Sequence, residues 1–528
     1  MKVSSRYIVG AVVVVVATAC TRESTVAPQA TLLAEPALGQ DVAAVIPSAA
    51  PRAIKDQYIV VLADQTDPVA VSASHALTPL QTYRYALRGF AAHLSRSQLE
   101  RLRRDVTVKY IEQDGEAHFL EEVAIPRAGV APTHFSAQTS QANPPWNLDR
   151  LDQRIGLNTD YTYTNRGSGV KVYILGTGLR FTHQEFDGAA LNRAKKGIDL
   201  VTPGGTATDC NGHSTHLGGT VGGTTTGVAK GATLYAVRVL DCAGSGTFST
   251  VIAGVDWITY NHLSPSVGLS TLGGGFSQAL NDAIAKSTLY GTLWVTPSGA
   301  SAADACTVSP ASAPLAITVA ASDISDNRAT FSNFGPCVDL YAPGVNILGP
   351  TIASDNAFSI FSGTASASAH LAGLAALVLQ AKPTASPTEV RDVLALSAQP
   401  NVIVGNPATT PNLLANKQTG TCAVAGAYCT GISGNTQLPF VGSSQFYLSG
   451  TGMQRGYLRG TAGTNFDLEL HEWNGAAWVL RVNSNAATTN PIIQFNSSCA
   501  FGLANCFKMF RVKSAVGTGS FDFWYDRQ

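Results

Sequence analysis

The chain has 528 residues, with 35 basic and 35 acidic side chains, and charged residues make up 13% of it, about half the share of an average soluble protein. A chain this long holds two to four domains and can bury a full core without covalent staples. A net charge of zero with no basic run argues against nucleic acid as the main partner, and so few charges do not describe a disordered chain. The charge is also unevenly placed: residues 52–122 hold 19 of the 70 charged side chains, so the chain is composite.

In chain order, Lys2 and Arg6 precede an apolar run from Ile8 to Ala17 and then Thr18-Ala19-Cys20. A basic start, a short apolar stretch and small residues describe a secretory signal peptide over residues 1–20. The run is too short for a membrane span, which needs about 20 residues. Ala17 to Cys20 also resembles the lipobox of bacterial lipoproteins, which implies a lipid on Cys20 as the alternative to plain secretion. Residues 21–50, rich in Ala and Pro, read as a linker. In 52–122, the apolar run Tyr58 to Leu62 predicts a buried strand. Ser95 and Gln98 form a capping box ahead of a helix whose apolar face holds Leu99 and Leu102. Val106 to Ile111 alternates into another strand, which completes a small α+β domain. Residues 123–145 lack periodicity and read as a second linker.

From 146 to 417 strands alternate with helices. Val170–Leu175, Leu234–Leu240 and Ala316–Ala320 read as strands, and Phe248–Tyr260 and Leu371–Leu379 as helices. A further helix starts at Ser386-Pro387-Thr388-Glu389, with a capping box and a Pro at its first position. This alternation predicts an α/β fold, a mostly parallel sheet with helices on both faces. Ligands of such sheets bind beyond the carboxyl ends of the strands. Over 420–528 helical periodicity is gone, and short runs such as Gln445–Leu448, Phe466–Leu470 and Phe521–Tyr525 predict a C-terminal β-sandwich.

With Cys20 in the signal, eight Cys remain, an even count that favours disulfides in an exported chain. Short spacings suggest Cys422–Cys429 and Cys499–Cys506, which leaves Cys210–Cys242 and Cys306–Cys337 as the longer loops. Zinc is the alternative reading, although no pair has the Cys-x-x-Cys spacing of a structural site.

Seven segments of the 146–417 region resemble the proteinase K branch of the subtilisin-like serine endopeptidases. They are Val172–Gly178, Asn211–His216, Leu234–Cys242, Ser309–Ser312, Phe331–Gly335, Ala342–Gly344 and Ser362–Gly373. Residues 54–118 resemble the family's inhibitor-like propeptide, and 440–528 the bacterial pre-peptidase C-terminal domain. The resemblance implies a Ser nucleophile, a His base, an Asp that orients the His and an Asn donor to the oxyanion. His213 stands at the base position. Gly176 stands where the family has Asp, Ala300 where it has Asn, and Ala365 where it has Ser. Ser214, Leu217 and Gly218 replace the usual Gly, Cys and Ala around the His, and Ala369 replaces the Pro before His370.

Losing the nucleophile removes the covalent route, and losing one oxyanion donor alone costs about 10²–10³ in rate. Ser366 is one residue away, about 100° around a helix. Ser362 and Ser368 also miss the position, and none of the three supplies a carboxylate. His213 and His216 make a His-x-x-His pair without the Glu or third ligand that zinc would need. The chain therefore reads as an inactive homologue that does not cut itself near Thr139–Gln141.

Peptide binding in this family is main-chain pairing between two enzyme edges. The resemblance assigns it to Gly244, Phe248, Leu272, Gly273, Gly274, Ser298 and Gly299, on edges Gly244–Phe248, Leu272–Gly275 and Val295–Gly299, with Thr271 and Pro297 departing from the pattern. The chain's own propeptide is the first expected occupant, and another peptide or protein the second. The resemblance also implies structural calcium at the carbonyls of Pro314 and Ala316 and the carboxylate of Asp339, since oxygen ligands suit Ca²⁺. A second calcium set is Asp149, Asp152 and Gln153, where Thr159 replaces an expected Asp. The overall expectation is a non-catalytic, peptide- or protein-binding homologue outside the cytoplasm, either secreted or lipid-anchored. The alternatives are an active serine endopeptidase and an adhesive protein acting through its C-terminal sandwich.

Overall fold

The computed structural model describes residues 42–119, 125–126, 140–153, 156–163, 165–187 and 192–417, and short strands between 419 and 527. The signal segment and Cys20 lie outside the described residues, as do the side chains of Cys422, Cys429, Cys499 and Cys506.

The N-terminal domain consists of β1 (Ala44–Ile46), β2 (Ala53–Leu62), α1 (Pro68–Ser74), β3 (Gln81–Tyr83), β4 (Gly89–His93), α2 (Arg96–Leu102) and β5 (Val108–Phe119). Strand β2 pairs antiparallel with β4 and β5, β3 lies outside β4, and β1 runs parallel to the first half of β5. The period of two along β2 divides its apolar side chains between two cores. Val60 and Leu62 join Phe90, Leu102 and Ile111 in the domain's own cluster, while Ile59 and Val61 pack with Phe248, Ile252 and Leu280 of the body. Helix α2 opens on the expected capping box, with Ser95 N–H donating to Gln98 at 2.9 Å.

The body begins with β6 (Ile125–Pro126), β7 (Ser140–Ala142), α3 (Trp146–Leu151), β8 (Asp160–Thr162), β9 (Lys171–Gly176) and β10 (Ala194–Asp199). It continues through α4 (His213–Gly222), β11 (Thr233–Arg238), β12 (Ser245–Thr247), α5 (Phe248–Asn261), β13 (Ser266–Ser270), β14 (Leu272–Gly275) and α6 (Gln278–Leu289). Then come β15 (Leu293–Pro297), β16 (Val308–Ser309), β17 (Ile317–Ser322), β18 (Leu340–Pro343), and the hairpin β19 (Ile347–Pro350) and β20 (Phe358–Phe361). The last elements are α7 (Thr364–Ala381), α8 (Pro387–Ser397), β21 (Gln399–Pro400) and β22 (Leu413–Leu414).

Nine strands form the central sheet in the order β10-β11-β9-β13-β15-β17-β18-β22-β21, parallel throughout except at the β21–β22 end. Both faces are covered, as near-continuous apolar strands require. On one face Val172, Ile174 and Val295 pack with Leu371, Leu374 and Leu377 of α7; on the other Tyr173, Leu175 and Trp294 pack with residues of α5 and α6. Helix α7 is long and apolar enough to cross a membrane, yet 89% of it is buried inside the body. Its small Ala and Gly side chains suit close approach to the sheet, and its length comes from strong helix formers.

Disulfides join Cys210 to Cys242 and Cys306 to Cys337. Between Thr419 and Arg527 the strands make two four-stranded antiparallel sheets, in the region where a C-terminal β-sandwich is expected. Parts of the two stretches read as linkers carry short strands. Strand β1 pairs with β5, β6 with β20, and β7 with β8, where Gln141 is buried and donates to the Thr225 carbonyl at 3.0 Å. Pairing of this kind uses backbone groups, so it leaves no apolar alternation to read.

Candidate functional site

Strand β5 extends eight residues past its expected end at Ile111 because its last four residues enter the body between two edges. Glu116, Ala117 and His118 face Thr247, Gly246 and Ser245 of β12, while His118 and Phe119 face Gly273 and Leu272 of β14. Phe119 N–H donates to the Gly244 carbonyl at 3.0 Å. Gly244 has φ +80°, and a Cβ there would lie 2.0 Å from the Phe119 ring. Only glycine lets the tail lie so close.

Gly274 pairs with Ser309 on the outer edge of β14, and Phe248 is buried beneath β14 and the tail. Ser298 is buried with its hydroxyl on the Asn333 carbonyl at 3.4 Å. The third expected edge is different: β15 is an interior strand between β13 and β17, so Val295 to Pro297 have no free pairing side. Its last residue, Pro297, and the loop after it, at Gly299 to Ser301, line the groove. There a cavity of about 440 Å³ is lined by His118, Phe119, Gly273, Gly299, Ala300 and Asn333 among others. Ile125 and Pro126 then pair with Ile360 and Ser359 of β20, so the chain meets the body again at the β19–β20 hairpin.

The chemical centre sits where the carboxyl end of β9 meets the first turns of α4 and α7. His213 opens α4, is buried, and packs tilted against the Phe119 ring with centroids 4.8 Å apart. Burial, and then neighbouring His216, push its pKa down to about 3. A general base works best with a pKa near the ambient pH, so His213 under this tail is a poor one. His216 has its Nε2 on the Ile347 carbonyl at 3.0 Å and stacks on Phe361 at 4.2 Å. Its neighbour in the pair faces the groove instead, so the two imidazoles serve different contacts.

Gly176 ends β9, Ala365 is fully buried in the first turn of α7, and Ala300 lies in a loop pinned by Asn333. Asn333 accepts from Ser301 and Ala303 N–H at 3.0 Å and donates to Ser298 O at 3.0 Å. Gly299 N–H donates to Thr364 Oγ1 at 3.2 Å. Of the neighbouring hydroxyls, Ser366 and Ser368 are fully buried, the latter donating to the Ala365 carbonyl at 2.8 Å, and Ser362 accepts from Asn346 N–H at 2.8 Å.

Both oxygens of Asp339 already hold donors: Arg391 Nη2 at 2.5 Å and Thr318 N–H at 2.8 Å. Asp149 accepts the N–H groups of Asn158 and Thr159 at 2.9 and 2.8 Å. Asp152 accepts Thr162 N–H at 2.7 Å and the Gln153 amide at 3.1 Å. Burial raises the Asp152 carboxyl to about 7, against the pull of the buried Lys417 ammonium. The Gln153 carbonyl is taken by Arg150, Gln399 and Asn416. A guanidinium thus pairs with the carboxylate of the first set and an ammonium acts on that of the second, and a divalent cation would share those oxygens with protein donors.

The subtilase family model matches residues 167–422, and the peptidase inhibitor I9 model matches residues 57–119. An extracellular serine proteinase of Thermus sp. (strain Rt41A) is 43% identical over 405 residues, covering 72% of this chain and 93% of the relative. The chain belongs to the subtilase family. A subtilisin-like serine protease of Penicillium citrinum is 36% identical over 358 residues, covering 62% of this chain and 74% of that protein. The crystal structure of a cold-adapted subtilisin-like serine proteinase superposes with a TM-score of 0.50 at 41% identity, covering 52% of this chain and 98% of that one.

Sequence reasoning missed the carboxylates that bind this subtilase body to its I9 domain. Glu112 accepts from Ser277 Oγ at 2.5 Å and Ala279 N–H at 2.9 Å, at the start of α6. Asp114 accepts from Ser249 N–H at 3.2 Å, at the start of α5, and from the Gln57 amide at 2.7 Å. Each carboxylate lies at the positive end of a helix that is not its own. In return, Asp256 of the body accepts N–H groups of Arg84, Tyr85 and Ala86 at 2.6–3.1 Å. The available signal was the spacing of Glu112, Asp114 and Glu116, which places three acids on one face of strand β5.

Proposed function

We propose that this chain is a catalytically inactive subtilase that acts outside the cytoplasm by holding peptide strands, with its own I9 tail as resident occupant. One feature supports the reading above the others: Gly176, Ala300 and Ala365 stand where the resemblance expects the family's Asp, Asn and Ser. Transition-state stabilisation needs those side chains, whereas the pairing of residues 116–119 with β12 and β14 needs backbone alone. Export is supported by two disulfides and by a relative named as extracellular. The C-terminal strands fit a pre-peptidase-type accessory domain, with a lipid on Cys20 as the second means of surface retention.

Mass spectrometry of the secreted chain, purified away from other proteases, tests this reading. The expected product is one chain that remains continuous across Thr139–Gln141. A new N-terminus generated in the pure protein would overturn it. The second reading, an active serine endopeptidase, is favoured by the relatives' names, which are those of proteinases. It requires a fluorophosphonate adduct on one Ser, lost when that Ser is replaced.

A further inference from the structure

Gly176 is enclosed. An added Cβ would lie 2.1 Å from Thr271 Oγ1 and 2.2 Å from Ser214 Oγ, far inside van der Waals contact. Both hydroxyl residues are fully buried, and both are committed. Ser214 Oγ accepts from Thr177 N–H at 2.8 Å, while Ser214 N–H donates to Thr177 Oγ1 at 3.1 Å. Thr271 Oγ1 donates to the Leu175 carbonyl at 2.9 Å and lies 3.4 Å from Ser214 Oγ. The two hydroxyls therefore tie the end of β9 to the first turn of α4 and to the segment between β13 and β14. A side chain at 176 would force either hydroxyl to rotate away from a buried backbone partner, which leaves a polar group unsatisfied.

We infer that Ser214 and Thr271 form a hydroxyl lock that replaces a side chain at 176 as the junction between these three elements. They are positioning residues, and the inference rests in part on the reading that the chain is inactive. On this view five positions separate the chain from a working triad, not three. Returning Gly176→Asp, Ala300→Asn and Ala365→Ser leaves the lock in the way. Adding Ser214→Gly removes one hydroxyl, and Thr271→Ser removes the β-branch that fixes the other, so that it can turn out of the space.

The first test is a thermal-unfolding cycle on the full chain, which reads packing and not activity. Gly176→Asp is expected to lower Tm by roughly 5 °C or more. Ser214→Gly/Thr271→Ser is expected to lower it by a smaller amount. The combined triple change is expected to recover at least half of the Gly176→Asp loss, the sign of direct coupling. A neutral Gly176→Asp, or losses that simply add, would overturn the lock.

The second test is fluorophosphonate labelling. The set of five changes is expected to label on the order of 100-fold faster than the set of three. Equal labelling of the two sets, or none in either, would remove the five-position claim. Labelling of the unaltered chain would instead count against inactivity while leaving the thermal cycle as the judge of the lock, so the two failures are distinguishable.

Discussion

The groove walls and the chemical centre lie side by side, yet they differ in what holds them. The walls, β12 and β14, engage the I9 tail through N–H and C=O groups that every residue carries. On the proposed reading, the centre depends on particular side-chain atoms at 176, 213, 300 and 365, of which His213 alone keeps the type that the resemblance implies. A function built on backbone pairing tolerates substitution, whereas one built on side chains ends with a single change. On the same reading, what remains is a protein that keeps its fold, its tail and its groove without the groups that act on a bound peptide.

Acid and base should separate the two regions, and acid should have the larger effect. Burial holds His213, His216 and His370 neutral, with pKa values lowered from 6.5 to about 3, 4 and 4. Groups with depressed pKa values stabilise the fold above the unfolded value and lose that contribution as pH falls towards the folded one. Since one unit is worth about 1.4 kcal/mol, the body should lose several kcal/mol between pH 6.5 and 4, read as a falling Tm. His213→Gln should flatten that limb, and an unchanged acid slope would show that this imidazole is not buried as described.

The I9 interface should respond in the opposite direction. Burial raises Glu112 from 4.5 to about 7, although Ser277 and Ala279 favour the charged form and Asp114 opposes it. A raised carboxyl contributes fully below about pH 4.5 and is lost as pH rises through 7, a change of at most ~3 kcal/mol. Amide exchange in residues 108–119, corrected for intrinsic rate, should therefore lose protection between about pH 4.5 and 7 and level off above it, and Glu112→Gln should abolish the trend. Protection that increases with pH would reverse the sign and refute the assignment.

A smaller effect probes the wall itself. Gly244→Ala places a Cβ at φ +80° and 2.0 Å from the Phe119 ring. A strain of ~1–3 kcal/mol should speed exchange at residues 116–119 by roughly 10–100-fold, with the strands of the central sheet unaffected. Unchanged exchange would mean that the tail does not lie against Gly244.

Much of this was legible in the sequence because motif blocks fix register. The capping boxes at Ser95 and Ser386 follow from local patterns a few residues long, and the expected site positions around His213 rest on patterns of the same length. Contacts between distant segments were not legible. Ser214 and Thr271 are 57 residues apart, and each alone reads as an unremarkable hydroxyl. Strand β15 reads as an edge in the sequence and lies inside the sheet, because a strand's neighbours are set by topology and not by its own residues. Arg391 and Asp339, 52 residues apart, meet only through the fold.

That last pair gives the smallest expected effect and contrasts a resemblance with a contact. The family resemblance implies calcium at Asp339, but the guanidinium of Arg391 already balances this carboxylate and occupies one of its oxygens, while Thr318 N–H occupies the other. A second cation would have to approach against that charge. Adding millimolar calcium or a chelator should therefore move Tm by less than about 1 °C, since a ligand stabilises only in proportion to its binding. Arg391→Gln should lower Tm and, by freeing an oxygen, create a calcium-dependent rise that the unaltered chain lacks. A clear calcium shift in the unaltered chain would show that arginine and metal share the site, and that the resemblance was the better guide there than the contact.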